Sequence, residues 1–124
     1  MSSLTLPLKK KWFEMTKSGV KTEDYREITD YWIKRLTVGI NDIDYGTSQR
    51  ICHEIYLNWK NSGGRFVFKD FATNIMTLGY PAKTDTDRIL KLEHKGIEIR
   101  TGNPEWGAEP NKLYFVILHG NIIQ

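Results

Sequence analysis

Hydrophobic positions change period several times along the chain, and the changes divide it into elements. Residues 4–9 alternate apolar and other side chains, the period of a strand with one buried face. Pro7 marks that strand as an edge or a strand end. Residues 10–18 predict a short helix with Trp12, Phe13 and Met15 on its buried side and Gly19 as its stop. A strand follows through Ile28. Thr29 and Asp30 then offer a cap for a second helix over 31–37, with Trp32, Ile33 and Leu36 as its apolar stripe. Burial energy favours Trp32 as a core residue over a ligand platform. Residues 38–46 read as a loop. Thr47 or Ser48 caps a third helix to about residue 61, carrying Ile51, Ile55, Tyr56 and Trp59 on one face.

From Arg65 the pattern becomes that of strands. Residues 65–68 alternate weakly, residues 72–78 are apolar and threonine-rich, and residues 79–81 form a turn. A strand over 88–93 and another over 97–100 are expected on either side of a turn at Lys95 and Gly96. Residues 101–110 form a loop dense in glycine and proline that carries Trp106. A loop that long has a packing or a functional duty. Trp106 can plug one end of the fold or stack on a base. Residues 114–118 are the last strong strand.

Composition narrows the class. A hydrophobic fraction of 40% and a charged fraction of 27% over 124 residues suit one globular domain, 1–124, with a single modest core. The net charge of +3 permits a nucleic-acid partner without requiring one. The single cysteine, Cys52, cannot close an internal disulfide, which points to a reducing, cytoplasmic setting. No apolar run approaches the roughly 20 residues of a membrane span, so no membrane partner is expected. The oligomeric state is left open.

The densest chemistry lies between Gly19 and Glu27. Lys21, Glu23, Asp24, Arg26 and Glu27 crowd seven positions. On a strand, Thr22, Asp24 and Arg26 share one face, while Glu23 and Tyr25 take the other. Lys21, at the strand start, can swing toward Asp24 and Arg26. Such a wall can bind a polar ligand, or it can be the charged edge that keeps sheets apart. On spacing alone the edge strand is the simpler reading. Lys9, Lys10 and Lys11 make a solvated helix start or a phosphate-facing patch. Cys52 and His53 are adjacent on a helix and do not face each other. His53, His94 and His119 show no metal-ligand spacing. No phosphate-binding glycine loop and no nucleophile elbow is present, and no cofactor is called for.

The same stretch resembles the G-x-K-x-x-E-x-R signature of the ASCH family, in which Gly19, Lys21 and Arg26 match and Asp24 replaces the glutamate. The flanks are similar too: residues 6–9, Tyr31 and Trp32, and Trp106 to Ala108 before a hydrophobic last strand. The resemblance implies an α+β fold, a PUA-like β-barrel of mixed, mainly antiparallel strands flanked by about three helices. It also implies binding of RNA or a nucleotide in a basic cleft, through Lys9, Lys21, Asp24, Arg26 and Trp106. Small proteins of this kind are common in bacteria and phages. A branch of the family hydrolyses N4-acetylcytidine with a lysine, a threonine and a glutamate. The lysine corresponds to Lys21, but the threonine position falls on Asp24, and the glutamate has no assigned counterpart. The enzymatic alternative is therefore a nucleoside or RNA hydrolase with Lys21 and Asp24 as catalytic residues. Truncation of Lys21 or Arg26 is expected to weaken ligand binding more than folding.

Overall fold

A computed structural model of the protein describes residues 2–37 and 68–123. In order the elements are β1 (Ser2–Leu8), α1 (Lys10–Lys17), β2 (Glu23–Arg26), α2 (Asp30–Leu36), β3 (Phe71–Leu78), β4 (Ile89–Thr101) and β5 (Leu113–Ile122), with short 3-10 turns at Thr86–Arg88 and Pro104–Trp106. The described residues thus form an α+β fold with two helices and one five-stranded mixed sheet, ordered β1-β3-β4-β5-β2. β1 runs parallel to β3, and β3 runs antiparallel to β4. The helix expected over 47–61, with Cys52 and His53, lies outside the described residues, as does most of the strand expected at 65–68.

Packing divides the chain into two compact units. One comprises Met1–Asp24, Asp70–Glu98 and Ile117–Gln124, the other Tyr25–Lys69 and Ile99–Val116. In the first unit, the alternation of β1 sends Leu4, Leu6 and Leu8 inward. Each such burial contributes about 1.5–3 kcal/mol. Pro7 sits in this terminal strand of the sheet order, where a missing N–H is tolerated. Helix α1 lies against β3 and buries Phe13 and Thr16. Trp12 and Met15, expected beside Phe13, are only half-buried. The helix closes where Ser18 N–H donates to Glu14 O, and Gly19 follows at φ +83°.

The expected turn at Lys95 and Gly96 does not form. β4 is one strand of 13 residues. Gly96 takes φ +123°, a conformation open to glycine, and the strand continues through it. The buried positions shift from Leu90 and Leu92 to Ile97 and Ile99, a change of parity across Gly96. β5 likewise extends past Leu118 to Ile122.

The second unit buries Ile33 and Leu36 from α2, together with Ile28, Tyr114, Phe115 and Val116. The Thr29 side chain caps α2 by accepting from Trp32 N–H, as expected from the sequence. Past the helix, Thr37 bridges to Phe68, whose ring meets Phe115 edge-on at 6.0 Å. The loop at 101–110 is fastened rather than loose. Tyr25 OH accepts from Asn103 N–H at 2.8 Å, Tyr114 OH accepts from Glu109 N–H at 2.9 Å, and the two tyrosine rings lie 5.7 Å apart. Gly102 passes close beneath this pair. A Cβ there would stand 2.7 Å from both Ala108 Cβ and Tyr25 Cε1. Gly102→Ala is expected to cost about 1–3 kcal/mol through overpacking. Urea unfolding checks this: a lower midpoint is expected, and an unchanged one would mean that Tyr25 yields without cost.

Candidate functional site

The signature stretch begins where α1 ends. Lys21 N–H donates to Met15 O at 3.0 Å, so a backbone donor, not the ammonium, meets the helix terminus. Thr22 O accepts from His119 N–H at 3.1 Å, which brings β5 beside this segment. The Lys21 ammonium turns inward. It pairs with Asp24 Oδ1 and donates to Glu23 O at 2.7 Å. Lys21 is 3% exposed and Asp24 2% exposed, which places the ion pair in the interior.

Asp24 has a second partner. Its Oδ2 accepts from His119 Nε2 at 2.6 Å. The imidazole side chain of His119 is only 1% exposed. Its other nitrogen, Nδ1, lies 2.7 Å from Asn74 Nδ2. Leu118 O also accepts from Asn74 Nδ2 at 3.2 Å, which sets the orientation of that amide. His119 Nδ1 is therefore an acceptor, and its ring proton sits on Nε2, facing Asp24. On the far side, Asn74 Oδ1 accepts from His94 Nδ1 at 2.7 Å. From His94 through Asn74 and His119 each side chain donates toward Asp24, and Lys21 donates to Asp24 from the other side. Among the described residues no buried side-chain nitrogen or oxygen lacks a hydrogen-bond partner. Asn74 has Leu4 of β1 and Leu92 of β4 as its register partners, and its side chain meets His94 of β4 and His119 of β5.

The network also determines charge. Burial alone would raise the Asp24 pKa, but the hydrogen bond from His119 and the charge of Lys21 outweigh it and hold the carboxyl below its usual range. For His94, burial lowers the pKa, His119 lowers it further, and Asp70 opposes them. The Phe71 ring, its centroid 5.5 Å from that of His94, supplies part of that apolar setting. Both shifts have the same sign for stability. As pH falls below about 6.5, the unfolded chain takes up a proton at His94 that the folded chain resists. Below about pH 4 the same holds for Asp24. Urea midpoints are expected to fall in both windows as pH drops, and His94→Gln is expected to flatten the upper one. An upper decline unchanged in His94→Gln would exclude His94 as its cause.

The other expected site residues are placed as follows. Lys9 is exposed and precedes α1, where its carbonyl accepts from Phe13 N–H. Trp106 ends the second 3-10 turn and is half-buried. Arg26 belongs to the second unit. It donates to Tyr25 O at 2.9 Å and lies 5.3 Å over the Trp32 ring. Arg35 lies over the same indole at 5.5 Å and over the Tyr31 ring at 5.9 Å, and it donates to Tyr31 OH. Tyr31 and Trp32 meet edge-on at 5.0 Å. Trp32 is only half-buried and Tyr31 is 60% exposed, so the expected core tryptophan is part of an aromatic surface. Glu27, next to Arg26 in sequence, is engaged by Lys112 at 2.7 Å.

Sequence reasoning missed Asn74, His94 and His119 as partners. Asn74 and His119 carried a signal, since each is a polar residue set in a strongly apolar strand and must find a hydrogen bond there. Among the described residues, no three His, Cys, Asp or Glu side chains are grouped to hold a metal ion. No helix of the described residues is long and apolar enough to cross a membrane. No family model matches the chain, and no curated protein or solved structure matches it either.

Proposed function

We propose that this chain is an RNA- or nucleotide-binding module of the PUA-like, ASCH type, and that its contact surface is Arg26 with the aromatic face of α2. The observation that carries this reading is the pair of guanidiniums over the Trp32 indole, beside the exposed Tyr31 ring. Single-stranded RNA is held by bases stacked on aromatic rings or guanidinium planes, with cations tracking the phosphates. Lys34 adds a further positive charge beside Arg35 in the last turn of α2. The α+β class, the five-stranded mixed sheet and the Gly19–Lys21–Asp24–Arg26 spacing support the PUA-like assignment. In this reading Lys21 and Asp24 act on the ligand indirectly, by fixing the start of β2. Fluorescence anisotropy with short single-stranded RNA tests the proposal. Binding that weakens with salt is expected, and no binding at low ionic strength would refute it.

One observation favours an enzymatic alternative. Asp24 is a buried, ionised carboxylate held by both a lysine and a histidine, and perturbed carboxylates of this kind are frequent in active sites. Both Asp24 oxygens and both His119 nitrogens are already engaged, so a reaction there requires the network to open. Incubation with N4-acetylcytidine decides: cytidine appearing with wild-type protein but not with Asp24→Asn, at a temperature where a thermal melt shows the variant folded, would move this reading to first place.

A further inference from the structure

The first unit contains a cationic cup unrelated to the signature stretch. Between β3 and β4 the chain loops through residues 79–88 and folds back over the start of β4. Arg88 fastens this loop. Its guanidinium donates to Leu78 O at 2.9 Å and lies 3.8 Å from the Asp85 carboxylate. Backbone bonds from Asp85 N–H to Ala82 O and from Arg88 N–H to Asp85 O hold the turns between. The result is a cavity of about 120 Å³ lined by Lys83, Thr86, Ile89 and Lys91.

The lining determines the kind of guest. Lys83 and Lys91 both reach the cavity, and among the described residues neither has an ion-pair partner. Asp85 is turned to Arg88, and neither Asp85 nor Asp87 lines the cavity. Thr86 adds a hydroxyl that can donate to an anion, and Ile89 adds one apolar wall. Lys91 is half-buried. Its backbone is tied, since Lys91 O accepts from Ile123 N–H at 2.8 Å. Pockets for whole small molecules run to about 300–1,000 Å³. This cavity is far smaller, with room for a small group but not for a whole ligand.

We infer that the cup formed by Lys83, Thr86, Ile89 and Lys91 binds a phosphate group. Two ammoniums supply point charges, as lysines do at phosphates, and the hydroxyl supplies a directed hydrogen bond. Ile89 suits the first carbon of a phosphate ester. The inference goes beyond the RNA-binding reading and does not depend on it, because none of the four residues belongs to the Arg26–Trp32 surface.

The test is an amide NMR titration with inorganic phosphate, at ionic strength held constant with chloride. Saturable shifts are expected at Thr86, Ile89 and Lys91, with affinity at least tenfold weaker in the double variant K83M/K91M. Both lysines are away from the core, and a thermal melt confirms that the variant folds. Ribose 5-phosphate is run in parallel. Tighter binding of the sugar phosphate assigns the cup to an ester, and equal binding assigns it to free phosphate. Shifts that do not saturate, or that persist unchanged in K83M/K91M, would overturn the inference. RNA binding by the wild-type chain is scored separately at the Trp32 indole, so the two proposals can fail independently.

Discussion

Asp24→Ala is expected to destabilise the fold by about 3–5 kcal/mol, the cost of removing one partner of a buried ion pair. Lys21 is 3% exposed and has no easy route to bulk water. Removal of the carboxylate leaves its ammonium without the ion pair and deprives His119 Nε2–H of its acceptor. Asp24→Asn preserves volume but not function, because its amide offers one acceptor where two donors converge. The expected loss is of the same order. The double variant Lys21→Met/Asp24→Leu is expected to recover part of it, since an apolar pair of similar volume often substitutes for a buried ion pair. Urea unfolding at pH 7.5 measures all three. If Asp24→Ala lay within about 1 kcal/mol of the wild type, the pair would be exchanging with solvent, as exposed pairs do. The sequence-based expectation that Lys21→Ala would weaken ligand binding more than folding meets the same ground: burial makes Lys21 a stability residue.

Trp32→Ala is expected to weaken single-stranded RNA binding by about 1–3 kcal/mol, roughly 5- to 150-fold, the worth of one stacked base. Trp32 carries both guanidiniums, so its loss removes a stacking surface and disperses the cations arranged on it. Arg26→Ala is expected to cost less affinity, while lowering the slope of log K against log salt by about 0.7 for one lost phosphate contact to a single strand. Anisotropy titrations at several salt concentrations separate the two effects. Trp32 is half-buried on α2, so thermal melts accompany the affinities. Equal affinity in wild type and Trp32→Ala would remove the aromatic face from the account.

How much of this was legible in the sequence depends on the range of the interaction. Alternation in β1, the glycine after α1 and the threonine cap of α2 are local signals, and each led to the right element. The close link between Lys21 and Asp24 was also local, since the two are three positions apart. What the spacing could not show was the inward direction of that pair, because burial depends on the strands that cover it. His119 is 95 residues from Asp24, and Asn74 is 45 from His119. No periodicity reports contacts of that length. The continuous β4 was missed for a different reason. A lysine–glycine pair reads as a turn, and only the unbroken strand Ile89–Thr101 shows that it continues through Gly96. Burial energy points Trp32 to the core, yet its two arginine neighbours stabilise a half-exposed indole through cation–π attraction.

The most direct test of the account is an amide- and indole-resolved NMR titration of the wild-type chain with a short single-stranded RNA. The account predicts saturable shifts at Arg26, Tyr31, the Trp32 indole and Arg35, with Lys21, Asp24 and His119 unmoved. Shifts centred on Lys21, Asp24 and His119, with the Trp32 indole unmoved, would contradict it and place the binding surface on the network itself.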